Sequence, residues 1–172
     1  VLAPSAVAVK GQMWTDAQGQ QDYPIPHAMT EAQIRSTIDE YIHSSVIAIE
    51  AGFDGVELHG ANGYLIEQFL NPSANKRTDQ WGGSSENRMR FAVEIAKGVC
   101  AKIGGDRVGI RVSPYGVFND TGAFEGVDQF YGELAKQLSA LGLVYVHVVD
   151  HSSMGAPPVS TEVKRLIRTH FK

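Results

Sequence analysis

The chain has 172 residues, 43% of them hydrophobic, and a formal net charge of -4 at pH 7. This length and apolar content predict one globular domain with a buried core. The 15 basic residues are scattered among 19 acidic ones, which argues against nucleic acid or an anionic membrane surface as a partner. No apolar run approaches the roughly 20 residues that a membrane span needs.

Cys100 is the only cysteine. It excludes an internal disulfide framework and a cysteine-based zinc site, and it fits a reducing compartment. The N-terminus lacks the basic patch and apolar block of a signal peptide, so we expect a soluble, cytoplasmic chain. Val1 opens the stretch VLAPSAVAVKGQ without a methionine, which suggests that other residues once preceded it.

The first predicted element is a long amphipathic helix that starts after Thr30. Thr30 and Gln33 match a capping box, and Gly52 supplies the stop. The helix has one apolar stripe, formed by Ile34, Ile38, Tyr41, Ile42, Val46 and Ile49. A short strand, FDGVELH, follows, and then a polar loop that contains a short helical stretch, YLIEQFL.

Strands and helices alternate through the rest of the chain. A helix from about Ser85 and a strand at 107–113 are followed by a helix at 127–141, a strand at 143–149 and a capped helix from Ser160. The apolar face of the helix from Ser85 is formed by Ala92, Ile95, Ala96, Val99 and Ile103. This order predicts βαβ units around a parallel sheet, with the helices on one face if the sheet curls.

Two folds fit this order. The dinucleotide and P-loop glycine fingerprints of doubly wound domains are absent, which favours part of a (β/α)8 barrel. A whole barrel needs roughly 250 residues. The chain is therefore either a compact open α/β domain or the middle of a larger barrel.

Ligands of both folds bind beyond the carboxyl ends of the parallel strands. His59, Asn62 and Tyr64 follow the first strand, and the loops at 113–120 and 150–153 follow the other two. His59 and Asn62 are donors that can converge on one carbonyl or nitro oxygen, and Tyr64 is an acid that can deliver a proton. The alternative is structural: His59 as an ordinary hydrogen-bonding residue and Tyr64 as an anchor for the short helix.

Arg111 lies inside an otherwise apolar strand, where a guanidinium needs a partner. Alternation places Arg111 on one face with Gly109 and Ser113, and these small neighbours are expected to leave room for a ligand. The alternative is a buried ion pair with Glu57 or Asp150.

Two other patterns carry less weight. In HVVDH, His147 and Asp150 face opposite sides of a strand, so we expect no metal site. Ser152 and Ser153 stand near His151 and Asp150 but without the G-x-S-x-G elbow of a hydrolase.

The stretch FDGVELHGANGYLIEQFLNPSANKRTDQWGGSSENRMRFAVEI closely resembles the signature segment of the old yellow enzyme family, flavin-dependent ene-reductases built on a (β/α)8 barrel. Further matches are RVGIRVSPYGVFND, YVHVVDHSSMGAP, APSAV and HAMT. The resemblance covers nearly the whole chain. It implies that residues 1–172 form a single partial barrel domain, about strands 4 to 6 with their flanking helices.

The resemblance also implies roles. His59 and Asn62 match the pair that binds the electron-withdrawing group of the substrate and lies against the cofactor, Tyr64 matches the proton donor, and Arg111 matches the arginine at the pyrimidine end of the flavin. NAD(P)H would reduce bound FMN, and hydride would then reach the β-carbon of an activated alkene or a nitro compound. The segment NKRTDQWGGS, with Arg77, Asp79 and Trp81, is expected to be structural.

By the same resemblance, the other barrel strands and the FMN phosphate site belong to segments outside Val1 and Lys172. The chain alone is therefore expected to bind FMN weakly, if at all. The alternative to an ene-reductase is a non-catalytic fragment or half-barrel that self-associates through exposed strand edges, so a homo-oligomer is an open possibility. A barrel enzyme for phosphorylated substrates would need a phosphate-binding glycine loop that the sequence lacks.

Overall fold

The computed structural model describes residues 1–172. Its N-terminal part contains four short strands that the sequence does not predict. Strand β1 (Leu2–Ala3) pairs in parallel with β4 (His27–Ala28), and β2 (Gln12–Thr15) forms an antiparallel hairpin with β3 (Gly19–Asp22). None exceeds four residues, so none carries a readable alternation of apolar and polar residues.

Helix α1 (Glu31–Glu50) begins where its cap was predicted. The Gln33 amide donates to Thr30 Oγ1 at 3.3 Å, and the Thr30 amide donates to Gln33 Oε1 at 2.9 Å. Both bonds of the capping box are thus present. At the other end Gly52 has φ 95°, a left-handed conformation that glycine adopts without strain.

The remaining elements follow the predicted alternation. They are β5 (Val56–Gly60), α2 (Leu65–Leu70), α3 (Ser85–Ile103), β6 (Val108–Val112), α4 (Val127–Ala140), β7 (Tyr145–Val148) and α5 (Thr161–His170). The three strands form one parallel sheet in the order β5-β6-β7. This sheet is not closed into a barrel. Separately, no helix is both long and apolar enough to cross a bilayer.

The two faces of the sheet differ in chemistry. Leu58, Ile110 and Val112 are buried in a core shared with α3, α4 and α5. On the opposite face, the register aligns Glu57 with Gly109 and Tyr145, and His59 with Arg111 and His147. The long helices thus cover one face, as predicted, and leave a polar face that carries the candidate site.

The segment NKRTDQWGGS is structural, as predicted. Trp81 is fully buried and lies edge-on to Phe91. Arg77 pairs with Asp79 and donates through Nη1 to the carbonyls of Pro4 at 2.9 Å and Met29 at 2.7 Å. These bonds fasten the N-terminal segment to the body of the fold.

Candidate active site

His59 stands at the carboxyl end of β5, next to Arg111 in the sheet register. Its ring lies 5.2 Å from the Tyr64 ring, centroid to centroid, and makes no hydrogen bond. Burial lowers the pKa of His59, and the Arg111 guanidinium lowers it further, against a smaller opposite effect of Glu57. The imidazole is therefore neutral at pH 7 and keeps one N–H free to donate, so the structural hydrogen-bonding alternative finds no support.

Tyr64 immediately precedes α2 in an extended conformation, with φ -85° and ψ 178°. Its side chain makes no capping hydrogen bond and is 55% exposed. A tyrosine that anchored the helix would pack or bond there. The phenol is instead a free group beside His59, at the mouth of the polar face.

Asn62 is held in the left-handed region, with φ 61°, which asparagine tolerates better than most residues. Its amide N–H donates to Ser113 Oγ at 2.9 Å, and its carbonyl accepts from Asn119 Nδ2 at 2.8 Å. The side-chain Oδ1 is buried without a partner. The backbone of Asn62 is thus fixed on both sides while its side-chain amide is uncommitted.

Gly63 continues this turn at φ 72°. A Cβ at this position would lie 2.5 Å from the Phe118 carbonyl oxygen and 2.6 Å from Asn119 Cβ. The turn therefore packs directly against the loop after β6. In that loop Asn119 and Asp120 are themselves left-handed, at φ 53° and 57°.

Arg111 has no acidic partner. Its Nε is buried and unbonded, while Glu57 pairs with His147 at 3.0 Å and Asp150 with Lys164 at 3.1 Å. The alternative of an ion pair between Arg111 and either carboxylate is therefore wrong. A buried guanidinium nitrogen without a partner is costly, and it fits a site meant for an acceptor on a bound group.

The open space expected at Gly109, on the face of Arg111, is filled. The Tyr145 ring lies across Gly109 and occupies the space that a side chain would take. Ser113 Oγ is turned away and donates to the Glu67 carboxylate. The prediction of open space is thus wrong at Gly109, because a side chain of the neighbouring strand fills it.

The loop after β7 is mostly exposed and is fixed by local contacts. Asp150 accepts hydrogen bonds from Ser152 and from Lys164, which lower the pKa of its carboxyl to about 2. The His151 ring lies edge-on to Phe118 at 4.7 Å. His147 contacts Glu57 rather than Asp150, so His147 and Asp150 do not converge.

Glu67 is a functional candidate that the sequence did not bring out. It lies in α2, is 1% exposed, and accepts a hydrogen bond from the Gly63 amide at 2.7 Å. The one available signal was a charged residue between the apolar residues of YLIEQFL. Its partner Ser113 lies 46 positions away in the chain, and spacing alone does not identify such a contact.

Comparison with known proteins identifies the family of this chain. Residues 3–171 match the profile of the NADH:flavin oxidoreductase / NADH oxidase family. A probable flavin mononucleotide-dependent alkene reductase of Leishmania infantum is 51% identical over 124 residues, covering 70% of this chain and 34% of that protein. A probable inactive dehydrogenase, easA, of Claviceps fusiformis is 41% identical over 128 residues, which are 74% of this chain and 34% of that protein.

The fold has a solved counterpart as well. The old yellow enzyme homologue of Zymomonas mobilis superposes with a TM-score of 0.90 at 33% identity, covering 99% of this chain and 48% of that structure. The chain thus spans about a third of the curated relatives and about half of the solved structure. The family profile, the relatives and the shared barrel architecture agree, and the chain belongs to the NADH:flavin oxidoreductase / NADH oxidase family as part of an old yellow enzyme barrel.

Proposed function

We propose that the protein carrying this chain is an FMN-dependent reductase of activated alkenes, such as enones and nitro compounds, driven by NAD(P)H. One observation carries the proposal. His59, Asn62, Tyr64 and Arg111 lie together at the polar face of the sheet, and each keeps polar side-chain atoms without a hydrogen bond. A protein that used these residues only for stability would pair them. Membership of the family supplies the chemistry that such a set would serve.

The residues fit the family's cofactor, FMN. Arg111 would hold the pyrimidine end of the flavin, because its unbonded, buried Nε needs an acceptor and a positive charge favours the electron-rich reduced ring. His59 and Asn62 would lie against the same group. When bound, FMN supplies the hydride that adds to the β-carbon of the alkene.

His59 and Asn62 would bind the oxygen that activates the alkene. Hydride addition builds negative charge on that oxygen, and fixed N–H donors stabilise the charge without reorganising. The imidazole donates in its neutral form, which the lowered pKa of His59 favours. The Asn62 side chain is positioned by a backbone that is bonded at both its N–H and its carbonyl.

Tyr64 would complete the reaction by protonating the α-carbon. Its phenol is exposed at the site and free of other bonds, so it can reach a substrate held by its neighbour His59. A phenol is a weak acid, so it releases its proton only to a strong base such as a carbanion.

Family membership does not by itself establish activity, since one relative is named as a probable inactive dehydrogenase. The test is to express the natural full-length protein, ask whether it purifies yellow, and assay reduction of an enone with NADH and with NADPH. A colourless protein that takes up no FMN, or a yellow one that reduces no enone or nitro compound, would contradict the proposal.

We also propose a cytoplasmic location, with which the free Cys100 is compatible.

Asn62→Ala is expected to raise KM for an enone about fivefold, because it removes one hydrogen bond, worth about 1 kcal/mol, from the substrate oxygen. Flavin reduction by NAD(P)H should not change. Stopped-flow measurement of each half-reaction checks this. Gln129→Ala, on the exposed side of α4, is the matched control, and an unchanged KM in Asn62→Ala would remove the residue from the site.

Residues 1–172 expressed alone are expected to bind FMN weakly. Phosphate sites of barrels come from the loops after the seventh and eighth barrel strands. The parallel sheet here has only three strands, β5, β6 and β7, which are expected to be about the fourth to sixth strands of a barrel. Titration of flavin fluorescence with the purified chain measures the affinity, with the full-length protein as control. Stoichiometric binding at submicromolar FMN would contradict this prediction.

The same preparation tests the alternative of a non-catalytic, self-associating half-barrel. One observation favours it: β5 and β7 each lie at an edge of the sheet without a second neighbour, and unpaired edges invite pairing with another copy. Sedimentation velocity distinguishes the two. A monomeric chain that becomes active only within the full-length protein would exclude self-association as its function.

A further inference from the structure

The carboxyl group of Glu67 is buried beneath the turn that carries Asn62 and Tyr64. Its neighbours in α2 are Ile66, Phe69 and Leu70, all with no exposed surface. No lysine or arginine forms an ion pair with it. A carboxylate in such a place is tolerated only when hydrogen bonds replace its water.

Two donors replace that water, and a third polar group lies near it. The Gly63 amide donates to Oε2 at 2.7 Å, and Ser113 Oγ lies 2.8 Å from Oε2 and 2.9 Å from Oε1. The Tyr131 hydroxyl of α4 lowers the pKa of the same carboxyl. Ser113 Oγ in turn accepts from the Asn62 amide at 2.9 Å. Two successive peptide N–H groups of the site turn therefore end on Glu67, one directly and one through Ser113.

The groups that face Glu67 decide when it is charged. Burial raises the pKa of Glu67 to about 7, against the hydrogen bonds from Gly63, Ser113 and Tyr131, which lower it. The titratable neighbours are Tyr131 from α4 and, acting on Tyr131, Arg88 from α3; the end of β6 contributes the neutral Ser113. Glu67 thus exchanges its proton in the neutral range.

Protonation changes what Glu67 can do for the turn. The ionised carboxylate accepts from both the Gly63 amide and Ser113 Oγ, whereas the acid form must itself donate one bond. Gly63 N–H has no acceptor, so the new O–H must turn to Ser113 or Tyr131. If Ser113 accepts from Glu67 instead, its oxygen receives two bonds, one of them from the Asn62 amide, and its own proton loses its acceptor. The serine must then reorient, and the geometry of the bond that fixes Asn62 changes with it.

We propose that Glu67 is a positioning residue which, in its ionised form, holds Gly63 directly and Asn62 through Ser113, and so presents Asn62 and Tyr64 to the substrate. This rests on the proposed alkene reduction. It assigns to α2 a task beyond packing. The protein should accordingly reduce alkenes less well as the pH falls through the neutral range, while flavin reduction keeps its own pH profile.

The first test is Glu67→Gln in the full-length holoprotein. Glutamine keeps the shape but has one acceptor oxygen, and its NH2 group would face a donor. We expect KM for an enone to rise about tenfold, the loss of one or two hydrogen bonds, with flavin reduction by NAD(P)H unchanged. The predicted fall of alkene reduction toward low pH, the acid limb of the pH profile, should disappear in the variant.

The second test is Tyr131→Phe, which removes a hydroxyl that lowers the pKa of Glu67 and so favours its ionised form. The acid limb of alkene reduction should move to higher pH, so that raising the pH restores activity. A variant that was merely misfolded would not recover. In protein labelled with 15N-glycine, the chemical shift of the Gly63 amide proton should change with pH at the same midpoint as the acid limb. In Tyr131→Phe, both midpoints should move to higher pH together.

The outcomes separate the two proposals. A wild type that reduces no enone defeats the proposed function, while titration of the Gly63 amide still measures the link between Glu67 and the turn. If the wild type is active but Glu67→Gln keeps its KM and its acid limb, the inference is overturned. A Gly63 amide that does not titrate in the neutral range would overturn it equally.

Discussion

Tyr64→Phe is expected to slow alkene reduction by about 10²- to 10⁴-fold, the usual contribution of a positioned general acid. The variant keeps the ring that lies 5.2 Å from His59 and loses only the hydroxyl. Because that hydroxyl makes no capping bond, its removal should leave the fold unchanged. Flavin reduction by NAD(P)H needs no proton from Tyr64 and should proceed at the wild-type rate.

Rapid mixing of reduced enzyme with an enone, and of oxidised enzyme with NAD(P)H, measures the two half-reactions separately. Tyr41→Phe is the matched control, since its ring packs edge-on against Phe91 in the core, away from the polar face. An equal loss in both half-reactions of Tyr64→Phe would show that the hydroxyl serves the flavin or the fold. No loss in either would assign the proton to water.

Gly63→Ala is expected to have the second large effect, on both stability and activity. A left-handed backbone costs a non-glycine residue about 1 to 2 kcal/mol, and the Phe118 carbonyl 2.5 Å from the new Cβ must also move. Backbone atoms yield less readily than side chains, so we expect about 3 kcal/mol of destabilisation in all. The displaced turn should also weaken enone binding, because Asn62 is its neighbour.

The control isolates the steric part of this cost. Gly126 has φ 74°, close to the 72° of Gly63, but nothing within 4 Å of its Cβ position. Gly126→Ala should therefore lose only the backbone part, about 1 to 2 kcal/mol. Urea denaturation gives both free energies of unfolding. Equal values for the two variants would mean that the loop after β6 does not press on the turn.

The helices could be predicted because their causes are local. The Thr30 capping box and the apolar stripe of α1 lie within one stretch of sequence, and the structure confirms both. The parallel sheet followed from the alternation of elements, and its order β5-β6-β7 is that of the sequence. The hairpin of β2 and β3 escaped notice because GQQD and QMWT carry no apolar pattern.

The candidate site was predictable in part. Strand ends indicated where His59, Asn62 and Tyr64 would lie, and the family resemblance supplied their roles, which stay proposals. The roles of Glu67 and Ser113 were not visible, because their bond joins residues 46 positions apart in the chain. The filled space over Gly109 was missed for the same reason: Tyr145 reaches it from the next strand.

The burial of Glu67 also limits the stability of the fold in the pH range in which the site would be active. Since burial raises the pKa of Glu67 from 4.5 to about 7, the fold favours the protonated acid. The stability this contributes is complete below about pH 4.5 and is lost as the pH rises through about 7, which amounts to about 3 kcal/mol. If the ionised form of Glu67 positions the turn, the active form of the protein is also the less stable one. Selection for a more stable fold would then remove the charge that the site uses.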